Sequence, residues 1–140
     1  MALYLGLDSS TQSLSALVLD IDGDRRQVVF ESYLSFDAAL PQYGTRHGVL
    51  PQDDEAVAVS SPLLSAEALD VMMARVSRSG LELTRLAAIS GSAQQHGSVY
   101  LNAHAASKWR ATQGRGLGLE LQFSAALADQ LVDCRHCALK

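Results

Sequence analysis

The amino-acid sequence predicts an α/β protein with a mixed sheet, in the element order β-β-β-α-β. Three observations support this fold class. The chain opens with three strand-like runs separated by short polar turns, a helical period follows over residues 62–79, and another apolar run follows at 86–90. Because a helix that connects two strands of one sheet normally returns the chain parallel to an earlier strand, the run 86–90 is expected to lie parallel to the first strand.

The first three strands are predicted to form a meander within residues 1–36. Residues 2–7 are almost continuously apolar, which is typical of a strand buried on both faces. Residues 13–20 form the second predicted strand, and the Asp22-Gly23 pair after it is a hairpin signal. Residues 26–36 show the period-2 alternation of a third strand.

The predicted helix follows an irregular segment. Residues 37–55 contain two prolines and two glycines, which indicates a loop. Ser61 is a suitable N-cap, and Pro62 suits the first helical position. Apolar residues then recur at helical spacing as far as residue 79, and Gly80 is a natural terminator just beyond the helix.

The signal weakens towards the C-terminus. Residues 86–90 are expected to be a short strand, and residues 99–102 could form another. Residues 103–118 have no clear period, while residues 119–133 could form a helix. No internal repeat or linker marks a second domain.

Composition excludes several function classes. The 140 residues suit one globular domain, since 48% are hydrophobic and 19% charged. The net charge of −4 argues against a partner nucleic acid. No apolar run is long enough to span a membrane and no basic leader opens the chain, so we expect a cytoplasmic protein. Cys134 and Cys137 could form half a zinc site or a redox pair, but unreacted thiols are favoured because no second ligand pair exists.

Polar residues follow two strands that are predicted to be neighbours. Asp8 ends the first strand, and residues 94–98 follow the strand 86–90. If these strands are parallel, both polar segments meet at one edge of the sheet. Open α/β sheets bind their ligands at that edge.

The first polar segment suits a phosphate and a metal ion. A carboxylate at the end of a buried strand needs a partner, and Mg²⁺ takes oxygen ligands, so Asp8 could hold this ion. The turn of Ser9, Ser10, Thr11 and Gln12 offers hydroxyls and backbone N–H groups that can face phosphate oxygens. The alternative is an ordinary hairpin turn, in which these residue types are common.

The second polar segment suits a sugar. Gln94, Gln95 and His96 offer the paired donors and acceptors that sugar hydroxyls require. Gly91 and Gly97 would allow a close approach of the backbone. The alternative is a solvated loop that happens to contain a histidine.

Together the two segments resemble a known family. The segment "LYLGLDSSTQSLSALVLD" resembles the first phosphate motif of the FGGY carbohydrate kinases, and "AAISGSAQQHGSVYLN" resembles their sugar-binding segment in the form found in xylulokinases. The segment "FDAALPQYGTRHGV" and the helix that begins at Ser61-Pro62 resemble the animal-type xylulokinases. One local departure is Ser10, because many members have glycine at that position.

The resemblance implies a fold and a reaction. The fold would be an incomplete lobe of the RNase H-like, actin-like ATPase type, an N-terminal fragment of such a kinase. The reaction would transfer a phosphoryl group from ATP to D-xylulose, giving D-xylulose 5-phosphate. Asp8 would position Mg²⁺, while Ser10, Thr11 and Gln12 would line the phosphate loop. Gln95 and His96 would contact the ketose.

The resemblance also implies that parts of the kinase are missing. The family's proton-accepting aspartate and adenine pocket lie far downstream of the matched motifs, so no catalytic residue is expected within this chain. The isolated chain is therefore expected to have little or no kinase activity. The alternatives are a kinase for another ketose or polyol, or a non-catalytic binding module that self-associates, for example as a homo-dimer, through exposed apolar surface.

Overall fold

A computed structural model of the protein describes residues 1–54, 57–94, 99, 105–112 and 138–139. Its centre is a four-stranded sheet in the order β3-β2-β1-β5, and a separate two-stranded ladder pairs β4 with β6. The strands and helices are, in chain order, β1 (Ala2–Ser9), β2 (Ser13–Asp22), β3 (Arg25–Ser35), α1 (Phe36–Ala39), β4 (Ala58–Val59), α2 (Pro62–Ser77), β5 (Leu86–Ala93), α3 (Ala105–Thr112) and β6 (Ala138–Leu139).

The predicted mixed sheet is confirmed. Strand β1 pairs with β2 in the antiparallel sense and with β5 in the parallel sense. Strands β2 and β3 form an antiparallel hairpin, whose two-residue turn is Gly23–Asp24. Gly23 has a φ of +58°, which fits a turn that requires glycine at its first central position. The order β-β-β-α-β therefore produces the expected parallel crossover through α2.

The core lies between α2 and one face of the sheet. Side chains alternate along β1, so Leu3 and Leu5 are buried while Tyr4 between them is 38% exposed. The prediction that β1 is buried on both faces is therefore wrong for the described structure. The physical reason is that α2 covers only one face. The largest fully buried side chains are Leu3, Leu5, Val18, Leu34, Leu64, Met72 and Val76.

Helix α2 begins as predicted and ends two residues earlier. The Ser61 hydroxyl accepts a hydrogen bond from the Leu63 N–H at 3.2 Å, and Pro62 occupies the first helical position. The helix ends at Ser77, with Arg78 as its C-cap. Gly80 then has a φ of +79°, which suits glycine in the departing chain.

The segment that follows β3 is more regular than the sequence predicts. The start of the predicted loop 37–55 contains α1 and a single turn of 3₁₀ helix at Pro41–Tyr43. The Gln42 side chain and the Tyr43 hydroxyl both donate to Glu67 of α2, at 2.9 and 2.7 Å, and so tie this segment to the helix. Tertiary hydrogen bonds of this kind leave no periodic signal in the sequence.

Helix α3 corrects a second prediction. It lies within residues 103–118, where we found no clear period, and its Ala105 is buried. The helix is only eight residues long, too short for a periodic signal to stand out. The helix predicted within 119–133 and both cysteines lie outside the described residues. Of the strand predicted at 99–102, only Val99 is described, and it does not belong to a strand. No helix in the described part of the chain is both long and apolar enough to cross a membrane.

An ion pair fixes the start of β5 on the sheet. Arg85 donates to both carboxylate oxygens of Asp20, each at 2.9 Å. Asp20 lies opposite Leu3 of β1, and Leu3 lies opposite Leu86, so the Arg85 side chain crosses β1 to reach β2. The pair is only partly exposed, with side chains 28% and 21% accessible, so solvent weakens it less than it would a surface pair.

We expect Ser61→Ala to lower the free energy of unfolding by about 1 kcal/mol, because the Leu63 N–H loses its acceptor. Ser65→Ala is the matched control, because Ser65 is exposed inside the same helix, where alanine is the better helix former. Urea denaturation of both variants measures the difference. Equal stability of the two variants would contradict the capping role.

Candidate phosphate and metal site

The candidate site is built on the carboxyl ends of β1 and β5. The parallel register places Asp8 opposite Ser92 and Ser9 opposite Ala93, so both strands end at the same edge of the sheet. The Asp8 side chain is exposed, and its Oδ1 accepts a hydrogen bond from the Ser92 hydroxyl. The carboxylate is thus oriented by the neighbouring strand, as a metal ligand needs to be.

The turn between β1 and β2 is organised by Ser10. Its hydroxyl oxygen accepts hydrogen bonds from the N–H groups of Gln12 and Ser13, at 3.2 and 3.1 Å. The Ser10 N–H donates to the Ser13 carbonyl at 2.9 Å and closes the turn. Of the N–H groups that we expected to face phosphate, that of Gln12 therefore points at the Ser10 hydroxyl and that of Ser10 at the Ser13 carbonyl. Three donors of the turn have no hydrogen bond to a described residue: the Thr11 N–H, the Thr11 hydroxyl and the side-chain amide of Gln12. A phosphate contact would depend on these donors.

A distant glycine packs against this turn. Gly48 is buried with a φ of +78°, and a Cβ atom added to it would lie 1.9 Å from the Thr11 carbonyl oxygen and 2.9 Å from the Gln12 Cα. A side chain cannot occupy that space. Residue 48 is thus restricted to glycine both by its backbone conformation and by its contact with the turn.

Asp37 holds the loop that carries Gly48. Its carboxylate accepts three hydrogen bonds, from the Thr45 hydroxyl at 2.7 Å and from the N–H groups of His47 and Gly48 at 2.6 and 3.0 Å. These bonds, the one from Thr45 first, lower the pKa of the Asp37 carboxyl below its ordinary value. His47 has a φ of +54°, a conformation that is uncommon for a residue with a side chain.

An open groove runs from Asp8 across the uncovered face of the sheet. Its volume is about 340 Å³. Strands β1, β2 and β3 all contribute, through Gly6, Leu7, Asp8, Ser15, Ala16, Leu17, Glu31, Ser32 and Tyr33. The groove is open to solvent, so the described residues form part of a site and not an enclosed pocket.

The donor set fits a hard cation that is shared with a ligand. The described residues contain no group of three or more His, Cys, Asp or Glu side chains that could hold a metal ion by themselves. Mg²⁺ in phosphate sites commonly has one or two protein carboxylates and completes its shell with waters and phosphate oxygens. A single exposed and oriented carboxylate at Asp8 fits that mode of binding.

The sequence-predicted site residues divide into two groups. The structure brings Asp8 together with the turn of Ser10, Thr11 and Gln12, at the edge where the second polar segment begins. Gln95 and His96 lie outside the described residues, so their part in the site stays a prediction.

Sequence reasoning missed Ser92, Asp37 and Gly48. Of these three residues, only Gly48 left a signal in the sequence. It is a glycine inside a predicted loop, and no turn-forming residue such as Pro, Asn or Asp stands next to it.

The sheet shows the fold class. It is part of a lobe of the actin-like ATPase fold, similar to the crystal structure of gluconate kinase from Lactobacillus acidophilus with a TM-score of 0.55. The two chains are 19% identical, and the similarity covers 82% of this chain and 23% of the other. At that identity the likeness concerns the fold alone.

Relatives found by sequence comparison carry more specific names than the structural neighbour. The chain is 40% identical over 100 residues to xylulose kinase 2 of Arabidopsis thaliana, across 71% of this chain. It is 36% identical over 126 residues, across 90% of this chain, to a probable D-xylulose kinase A of Aspergillus flavus, and 36% identical over 96 residues to the xylulose kinase of Mus musculus. No family model matches the sequence. The resemblance to the carbohydrate kinases is confirmed, and the chain is related to their xylulose kinases.

The similarity covers only part of the relatives. The chain spans 17% of the length of the Arabidopsis and mouse proteins and 21% of the Aspergillus protein. It therefore corresponds to about a fifth of the length of the curated relatives that it matches.

We expect Gly48→Ala to destabilise the protein by about 3 kcal/mol or more, because the new methyl group meets the Thr11 carbonyl and φ is positive. Gly44→Ala is the matched control, since Gly44 has a φ of +65° and open space around it, so it should lose only about 1–2 kcal/mol. Denaturant unfolding measures both. Equal losses would mean that the contact with the turn does not exist in solution.

The bonds to Asp37 should be sensitive to acid. Because the folded-state pKa of this carboxyl lies below its ordinary value of 3.8, the ionised group stabilises the loop above pH 3.8, and this contribution is lost as the pH falls through the folded-state pKa. The amide proton shifts of His47 and Gly48 should follow one titration with a midpoint below 3.8. Asp37→Asn should abolish that titration. A midpoint at or above 3.8 would contradict the hydrogen-bonded geometry.

Proposed function

We propose that the chain forms the phosphate-binding side of an ATP-dependent sugar kinase that converts D-xylulose to D-xylulose 5-phosphate. The observation that carries the proposal is the placement of Asp8 and the turn of Ser10–Gln12 together at the carboxyl edge of β1. Several relatives named xylulose kinase support the choice of sugar. We also propose that this kinase works in the cytoplasm.

Asp8 and the turn would bind the same phosphates in different ways, Asp8 through a cation and the turn through hydrogen bonds. The Ser92 hydroxyl donates to Oδ1 of Asp8 and leaves the other carboxylate oxygen for the cation. Mg²⁺, when bound there with ATP, would offset the negative charge of the phosphate oxygens. Those oxygens would accept hydrogen bonds from the Thr11 N–H, the Thr11 hydroxyl and the side-chain amide of Gln12. Ser10 would act indirectly, because its hydroxyl holds the shape of the turn.

The reaction needs groups that these residues do not supply. A sugar hydroxyl oxygen forms a bond to the γ-phosphorus, the bond from that phosphorus to the β,γ-bridging oxygen breaks, and ADP leaves. The hydroxyl proton passes to a carboxylate base, which the family resemblance places outside this chain. We therefore expect the isolated chain to bind and orient phosphates without measurable turnover of D-xylulose.

Gln95 and His96 would contact the ketose. They follow Ala93, the last residue of β5, so they continue the chain from the edge where Asp8 lies. Amide and imidazole groups offer the donors and acceptors that several adjacent hydroxyls require. This assignment rests on the family resemblance.

Two other functions have a specific observation in their favour. A kinase for another ketose or polyol is favoured by the structural likeness to a gluconate kinase. A non-catalytic module that self-associates, for example as a homo-dimer, is favoured by apolar side chains that stand in solvent: Tyr33 is 63% exposed, Ile89 55% and Val28 48%. Binding of phosphate at Asp8 distinguishes both kinases from the module.

A titration with Mg²⁺ and pyrophosphate tests the proposal. We expect the amide signals of Asp8 to Gln12 to shift on addition of both, because the turn and the carboxylate face the same phosphates. Asp8→Asn should weaken this binding at least tenfold. Asp24→Asn, which removes an exposed aspartate from the β2–β3 turn, is the control and should bind normally. Unchanged binding in Asp8→Asn, or shifts confined to other residues, would contradict the proposal.

A further inference from the structure

The segment that follows β3 holds the candidate phosphate turn at two points. The Phe36 N–H donates to the Gln12 carbonyl at 2.9 Å. Twelve residues later, the backbone of Gly48 lies against the Thr11 carbonyl, without room for a Cβ atom. Between these two points, Asp37 draws the loop together through its bonds to Thr45 and to the N–H groups of His47 and Gly48.

These contacts fix the orientation of one peptide group. The carbonyl of the Thr11–Gln12 peptide faces Gly48, while the N–H of the same peptide donates to the Ser10 hydroxyl. A trans peptide is planar, so contacts on opposite sides prevent it from rotating. The direction in which Thr11 presents its own N–H and hydroxyl depends on that plane.

We propose that Asp37 is a positioning residue for phosphate binding, which acts through the backbone of His47 and Gly48 to hold the Thr11–Gln12 peptide in place. The inference rests on the proposed function, since it concerns how the same turn meets phosphate. Asp37 does not touch the phosphate. Its carboxylate holds the backbone of Gly48, and the contact of Gly48 with Thr11 keeps the turn in its binding conformation.

The segment also contains a carboxylate that serves as a comparison. Glu67 accepts hydrogen bonds from Gln42 and Tyr43 of the same loop, but these bonds tie the loop to α2 and not to the turn. Glu67→Gln therefore removes a charge from the same neighbourhood and weakens the same loop. If Asp37 acts on the turn, the two substitutions must differ at Thr11 and Gln12.

The first test is the amide spectrum of the 140-residue chain. Asp37→Asn should shift the Thr11 and Gln12 amide signals and speed hydrogen exchange at His47 and Gly48 at least tenfold. Glu67→Gln should leave the Thr11 and Gln12 amide signals unchanged. Thr45→Val removes one of the three bonds and should give an intermediate effect, so it serves if Asp37→Asn fails to fold. Faster exchange at His47 and Gly48 with unmoved Thr11 and Gln12 signals would overturn the proposal.

The second test is affinity for Mg²⁺ and pyrophosphate. Asp37→Asn should raise the dissociation constant about threefold to tenfold, and Glu67→Gln should leave it unchanged. Equal affinities of Asp37→Asn and the unmodified chain would overturn the positioning role. If the unmodified chain does not bind pyrophosphate, the proposed phosphate site fails as a whole, and the positioning role for phosphate binding fails with it. Binding that Asp8→Asn weakens and Asp37→Asn does not would overturn the positioning role alone.

Discussion

The pairing of β1 with β5 is the constraint on which the site depends. Strand β1 is central, with β2 bonded along one side and β5 along the other. Because β1 and β5 run parallel in this register, both polar segments leave the sheet at one edge, and Ser92 meets Asp8. An antiparallel β5 would put residues 94–98 at the opposite edge, more than 20 Å away for an eight-residue strand.

The order of the elements was accessible from the sequence because each has a local cause. The hairpin residues Asp22-Gly23, the N-cap Ser61 with Pro62, and the helical period of α2 all act within a few residues. The parallel pairing of β5 followed from the handedness and compactness of a helix crossover, which is a general rule and not a property of these residues. Asp8 and the turn were found by the chemistry of a carboxylate and hydroxyls at a strand end.

What the sequence could not predict is tertiary in origin. The exposure of Tyr4 depends on which face α2 covers, and an apolar run looks the same for one covered face or two. Gly48 contacts residues 36 and 37 positions earlier, and Asp37 acts on them through Gly48, so no local spacing connects either residue with Thr11. The inward direction of the Gln12 and Ser13 N–H groups arises from a serine at position 10 and depends on the geometry of the turn.

The parallel register is best measured by nuclear Overhauser contacts between backbone protons of the two strands. A parallel register predicts cross-strand contacts that link Leu7 with Gly91 and Asp8 with Ser92, in the slanted pattern of parallel strands. Close contacts between α-protons of β1 and β5, as antiparallel strands give, or the absence of any contact from Asp8 to Ser92, would contradict it.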